Sequence, residues 1–159
     1  MRTAVLTLVA LTALHAQQKY NGPRPEKPDL PYLLHATKLI PTDAGEAKEE
    51  KRKEGTAYIT AGAAAKAKTP LAEPIFLFES KSIMPDKLTM YKLEVKNGAR
   101  EVFFFENPKK RKDSTKPIRI SAKKLDTGLY RIEPTEPLAN GEYVLTPADS
   151  NTVFAFTIY

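Results

Sequence analysis

Few residues in this chain have the types and spacing that chemistry requires. There are two histidines, His15 and His35, and no cysteine. His15 follows an apolar N-terminal run that reads as a signal peptide, so a serine–histidine mechanism would have His35 as its only base, and no Gly-x-Ser-x-Gly turn surrounds any serine. Thiolate catalysis is excluded, and a zinc site would need carboxylates for all its remaining protein ligands. Glu46, Glu49 and Glu50 suggest a divalent-cation cluster, yet Lys48, Lys51, Arg52 and Lys53 are interleaved with them and compete for the same carboxylates. Asp149-Ser150-Asn151 offers oxygen ligands in the spacing of an ordinary turn, where these residues cap backbone groups. With 19 acidic residues a carboxylate pair for glycoside hydrolysis can always be drawn, so no particular pair carries weight. The expectation is therefore a protein without catalytic residues, cofactor or metal. A small carboxylate-dependent hydrolase acting on carbohydrate is the catalytic alternative.

Two stretches suit binding. Lys109, Lys110, Arg111 and Lys112 place four cations on one loop, enough for salt-sensitive contact with a polyanion such as an anionic glycan, or with an anionic membrane surface. No aromatic residue interrupts the run to stack a base, so specific nucleic-acid recognition is not expected. Val102, Phe103, Phe104 and Phe105 put a large residue on each face of a strand twice over. Either both faces are covered, or one forms an exposed interaction patch.

The elements that must carry these residues read as short strands. Asn97-Gly98 is the dipeptide that best supplies a type I′ turn, and it joins Leu88–Lys96 to Ala99–Glu106. In the first arm Tyr91, Leu93 and Val95 alternate with Lys92, Glu94 and Lys96, which predicts one buried and one wet face. Tyr32–Ile40, Thr56–Ala61, Ile75–Glu79, Ile118–Lys123 (with Ile118, Ile120 and Ala122 inward) and Leu129–Glu133 read as further strands. Thr42–Glu54 is charged with no apolar stripe and reads as a solvated loop or short surface helix. Residues 17–31 hold Pro23, Pro25, Pro28 and Pro31 and read as an extended lead-in outside any sheet. Thirteen prolines and seven glycines with no long helical pattern favour an all-β chain.

The last 23 residues, Pro137 to Tyr159, form the clearest motif. Leu138, Gly141 and Tyr143 have the spacing of a tyrosine corner, whose phenol bonds back to upstream backbone. Glu142–Thr146 and Thr152–Ile158 are then the last two strands, with Phe154, Phe156 and Ile158 inward and Val153, Ala155 and Thr157 outward. The turn Pro147–Asn151 falls at one end of the sandwich, a common place for binding loops. This segment resembles the C-terminal ends of uncharacterised exported bacterial immunoglobulin-like β-sandwich proteins. The resemblance implies architecture and no catalytic residues. The fold expected is a single immunoglobulin-like Greek-key β-sandwich of about seven or eight short strands over residues 32–159.

The N-terminus has a single early Arg2, an apolar run from Ala4 to Leu14, and small Ala16 before Gln17-Gln18. That is the pattern of a signal peptide cleaved after Ala16, and the run falls short of the ~20 residues a membrane span requires. Without Arg2, 24 Lys and Arg face 19 Asp and Glu, a net of +5. The expectation is a secreted or periplasmic, non-catalytic binding, structural or assembly protein of the bacterial cell envelope, with a self-assembling surface subunit as an alternative. No transmembrane segment is expected after signal removal.

Overall fold

Asn97 and Gly98 adopt φ of 51° and 76°, the left-handed pair that a two-residue hairpin turn demands. In the computed structural model, which describes residues 19–159, they join β8 (Leu88–Lys96) to β9 (Ala99–Phe105). The signal peptide and its cleavage point lie outside the described residues. The hairpin pairs only near its tip, from Glu94↔Glu101 to Lys96↔Ala99. Farther along, the segment Ser114–Ile118 enters between the arms. The Phe103 and Phe105 amides donate to the Thr115 and Ser114 hydroxyls at 3.0 and 2.8 Å. β10 (Pro117–Ile118) pairs with β8 at Tyr91 and Met90.

Fourteen strands among the described residues, rather than seven or eight, form two sheets. The smaller runs β11 (Ile120–Asp126), β12 (Leu129–Pro134), β7 (Phe76–Glu79), β1 (Tyr32–His35), β2 (Lys38–Pro41). The larger follows β3 (Asp43–Glu46), β14 (Thr152–Ile158), β13 (Gly141–Pro147), β8, β9, β5 (Gly55–Thr60), β4 (Lys48–Arg52). Its two edges, β3 and β4, are halves of one segment kinked at Ala47, so the sheet curls into a half-barrel. Every pairing is antiparallel except that of β6 (Lys68–Thr69) with the end of β14.

Several sequence expectations need correction. Tyr32–Ile40 is a hairpin and not one strand, because Ala36 takes a φ of 56° and His35 pairs with Lys38. His35 is exposed on it. Thr42–Glu54 is neither loop nor helix. Its charges lie along edge strands, where solvent takes the outward side chains and the neighbouring strand satisfies the backbone. The proline-rich lead-in is docked rather than free: Pro31 is fully buried, Leu30 packs on the core, and Arg24 pairs with Asp126. Ala122 is exposed, because the chain switches sheets at Arg119 and only Ile118 and Ile120 reach the core. No helix among the described residues is long and apolar enough to cross a membrane.

The main core lies between the sheets. Phe76, Phe78 and Ile132 from the small sheet meet Met90, Tyr143, Leu145, Phe154, Phe156 and Ile158 from the large one. The Tyr143 ring stacks on Phe156 at 5.5 Å, and its hydroxyl donates to the Ala139 carbonyl four residues upstream at 2.6 Å. Burial raises the Tyr143 pKa and keeps the donor proton in place. Gly141, at a φ of 151°, passes so close to Lys92 that a Cβ there would lie 3.0 Å from its Cε.

Two substitutions test how the frame is held. Tyr143→Phe leaves the Ala139 carbonyl without its donor, and urea denaturation should show a loss of about 1–2 kcal/mol. Asp29 holds the Lys81–Ile83 loop. Burial disfavours its charge, but the Ser82 hydroxyl and the amides of Ile83, Lys81 and Ser82 outweigh that and hold its pKa at about 2, below the ordinary 3.8. Since the folded state refuses a proton that the unfolded chain accepts, the stabilisation is complete above about pH 4. It is lost as pH falls through about 2. The stability gap between the parent and Asp29→Asn, measured by urea titration, should be widest near neutrality and shrink over that window.

Candidate functional site

The strands of the half-barrel present a second apolar set on their inner face. Ala47, Leu93, Val102, Val144 and Val153 form a separate buried cluster, with Tyr58, Tyr91 and Phe104 packed on it. Register explains the grouping: Val144 pairs with Tyr91 and Ala155, and Tyr58 pairs with Val102. Val153, Ala155 and Thr157, expected to face outward, are therefore buried here at 5%, 0% and 9% exposure. A strand in the middle of two cores has no wet face.

This inner cluster does not fill the curl. A pocket of about 180 Å³ remains, walled by the cluster together with Thr60, Thr89 and Thr146, and rimmed by Pro147–Asn151. Phe104 stands between two phenol-bearing rings, edge-on to Tyr58 at 5.9 Å and to Tyr91 at 5.7 Å. The rim is exposed but tied down. Ala47 donates to the Asn151 carbonyl at 2.7 Å, Ala148 to that of Lys87 at 2.9 Å, and the Thr146 hydroxyl to that of Thr152 at 2.8 Å. Asp149 takes a φ of 56° at its tip.

Below the pocket, on the same face of β13, Glu142 closes the curl with Arg100 from β9. Both are buried, at 7% and 3% exposure, and their ion pair measures 3.2 Å. The remaining polar atoms are also occupied. Arg100 donates to the Gly62 and Ala61 carbonyls, and Glu142 accepts from the Ala65 amide and the Thr157 hydroxyl. The pair thereby pins the Ala61–Ala65 loop over the base of the curl. The other buried carboxylate, Glu101, is on the outer face, bridged to Arg52 and Lys96 at 2.8 and 3.0 Å. The Arg52 hydrogen bond leads the Lys96 contacts in lowering its pKa against burial.

The patches named from sequence lie elsewhere and apart from the pocket's interior, with two exceptions. Val102 and Phe104 line the pocket. Phe103 and Phe105 pack edge-to-face at 4.8 Å on the outer face, half-buried, with Arg52 over one ring and Lys110 over the other. Lys109, Lys110, Arg111 and Lys112 are exposed on the turn after β9, where Lys110 is paired with Glu54 at 2.8 Å. Leu138 and Gly141 serve the Tyr143 corner in the frame. Tyr58, Thr60, Arg100 and Glu142 were not singled out from sequence, and Tyr91 was placed only on the buried face of a strand. Two signals were available: the apolar outward set Val153–Ala155, and the large residues on both faces of Val102–Phe105, each of which points to a second covered face.

No family model, curated protein or solved structure matches this chain.

The buried pair makes a specific demand. Arg100→Met or Glu142→Leu alone leaves an uncompensated buried charge and should cost about 3–5 kcal/mol. The double variant should be less destabilised than the sum of the two, measured by chemical denaturation as a double-mutant cycle.

Proposed function

We propose that this chain is a non-catalytic binding protein and that the half-barrel pocket is its binding site. The observation that carries this is an apolar space of about 180 Å³ left open beneath a tethered rim. Protein interiors ordinarily leave few voids larger than a water molecule. This one is open at its rim and lined mainly by apolar side chains, so an occupant would bury apolar surface that the fold otherwise leaves to water. Export to the bacterial periplasm or exterior, and an immunoglobulin-like relationship, form part of the same proposal. The Met1–Ala16 pattern supports the first, and the Leu138, Gly141 and Tyr143 spacing supports the second.

The test fills the space. Val153→Phe places a ring in the pocket without adding charge. Ligand-observed NMR with small apolar probes, namely benzene and toluene, should detect binding to the parent and none to the folded variant. Absence of binding by the parent, or equal binding by both proteins, would sink the proposal.

A further inference from the structure

The pocket's size and polar atoms narrow what it holds, on the basis that it is a binding site at all. At about 180 Å³ it slightly exceeds the ~150 Å³ engineered cavity that accommodates benzene and falls below the ~300–1,000 Å³ of sites for drug-sized ligands. One ring with a small substituent fits within it; a long acyl chain or a disaccharide would extend past the rim.

The polar groups inside are hydroxyls. Tyr58, Thr60, Thr89 and Tyr91 line the space, and none of their hydroxyls bonds to protein among the described residues. Thr60 is informative because only 8% of it is exposed. No fully enclosed side-chain polar atom in the described residues lacks a partner, so the Thr60 hydroxyl keeps some solvent access, and Thr60 is one of the residues lining the pocket. A hydroxyl with no protein partner is free to exchange its water for a ligand's polar atom. No Lys, Arg or His lines the pocket, and its one carboxylate, Asp149, is on the exposed rim. An ionic ligand would lose hydration with no counter-charge to replace it. Burial also raises the Tyr91 pKa above the usual 10.0, so its phenol stays a neutral donor. Hydroxyls both donate and accept, which suits a ligand hydroxyl or carbonyl equally.

We infer that the pocket takes a small neutral ligand consisting of one ring-sized apolar body and a single hydroxyl or carbonyl group, the class of monocyclic phenols, alcohols and ketones. The ring packs against Phe104 and the Leu93, Val144 and Val153 side chains. The polar group reaches the hydroxyls of Thr60 and the two tyrosines.

The experiment titrates p-cresol, cyclohexanol, toluene, benzoate and benzylamine into the full chain by ligand-observed NMR. It is repeated with the Thr60→Val/Tyr91→Phe double variant. p-Cresol should bind the parent about tenfold tighter than toluene, the worth of one or two hydrogen bonds, and both ions at least about tenfold more weakly than p-cresol. In the double variant the preference for p-cresol should collapse towards unity while toluene binding persists, which reports an intact pocket. Toluene bound as tightly as p-cresol by the parent would overturn the ligand class and leave the pocket reading standing. Benzoate or benzylamine bound as tightly as p-cresol would do the same. Binding of no probe by the parent would remove both.

Discussion

The structure depends on one wall shared by two cores. Strands β8, β13 and β14 carry apolar side chains on both faces, one set packing against the small sheet and the other lining the curl. β14 makes this plain: Phe154, Phe156 and Ile158 serve the main core while Val153 and Ala155 serve the inner one, and none of the five exceeds 5% exposure. Fully burying each such large side chain is worth about 1.5–3 kcal/mol. These strands are therefore the best anchored in the molecule, and a volume change on either face is felt by only one of the two cores.

A wall buried on both sides forces the rest of the sheet to curve, and curvature needs closure. The Asp43–Arg52 segment supplies it by pairing with β14 before Ala47 and with β5 after it. β6 covers the remainder of the β14 edge. Asp43 contributes at the same place, its carboxylate accepting from the Lys66 and Ala67 amides at 2.6 and 3.2 Å. The Arg100–Glu142 pair then closes the base. A buried pair of this kind contributes little net stability, but it fixes where the Ala61–Ala65 loop sits and so sets the depth of the space above it.

The same construction fixes where the charged and hydroxyl groups lie. Both buried carboxylates, Glu101 and Glu142, are committed to cations, and the pocket's polar atoms are hydroxyls flanked by aromatic rings. On the proposed reading, such a lining orients a neutral molecule. The basic turn at Lys109–Lys112 and the Phe103/Phe105 pair sit on the outer surface, where their charges and rings are partly engaged with Glu54, Arg52 and Lys110.

Local chemistry was readable from the sequence wherever it acts over a few residues. The Asn97-Gly98 turn follows from two residues that tolerate positive φ, the Tyr143 corner from a four-residue reach, and the all-β character from proline and alternation. Burial was readable where a strand has a single covered face. The charged Asp43–Arg52 segment could not be recognised as strand, because its pairing partners, β14 and β5, are what satisfy its backbone. The outward set of β14 could not be assigned to a core, because alternation reports two faces and not what covers each. The pocket, drawn from Tyr58, Tyr91, Phe104 and Val153 on four different strands, exists only once the sheet curls. That curl is set by long-range pairing and by the kink at Ala47, neither of which any short stretch of the chain encodes alone.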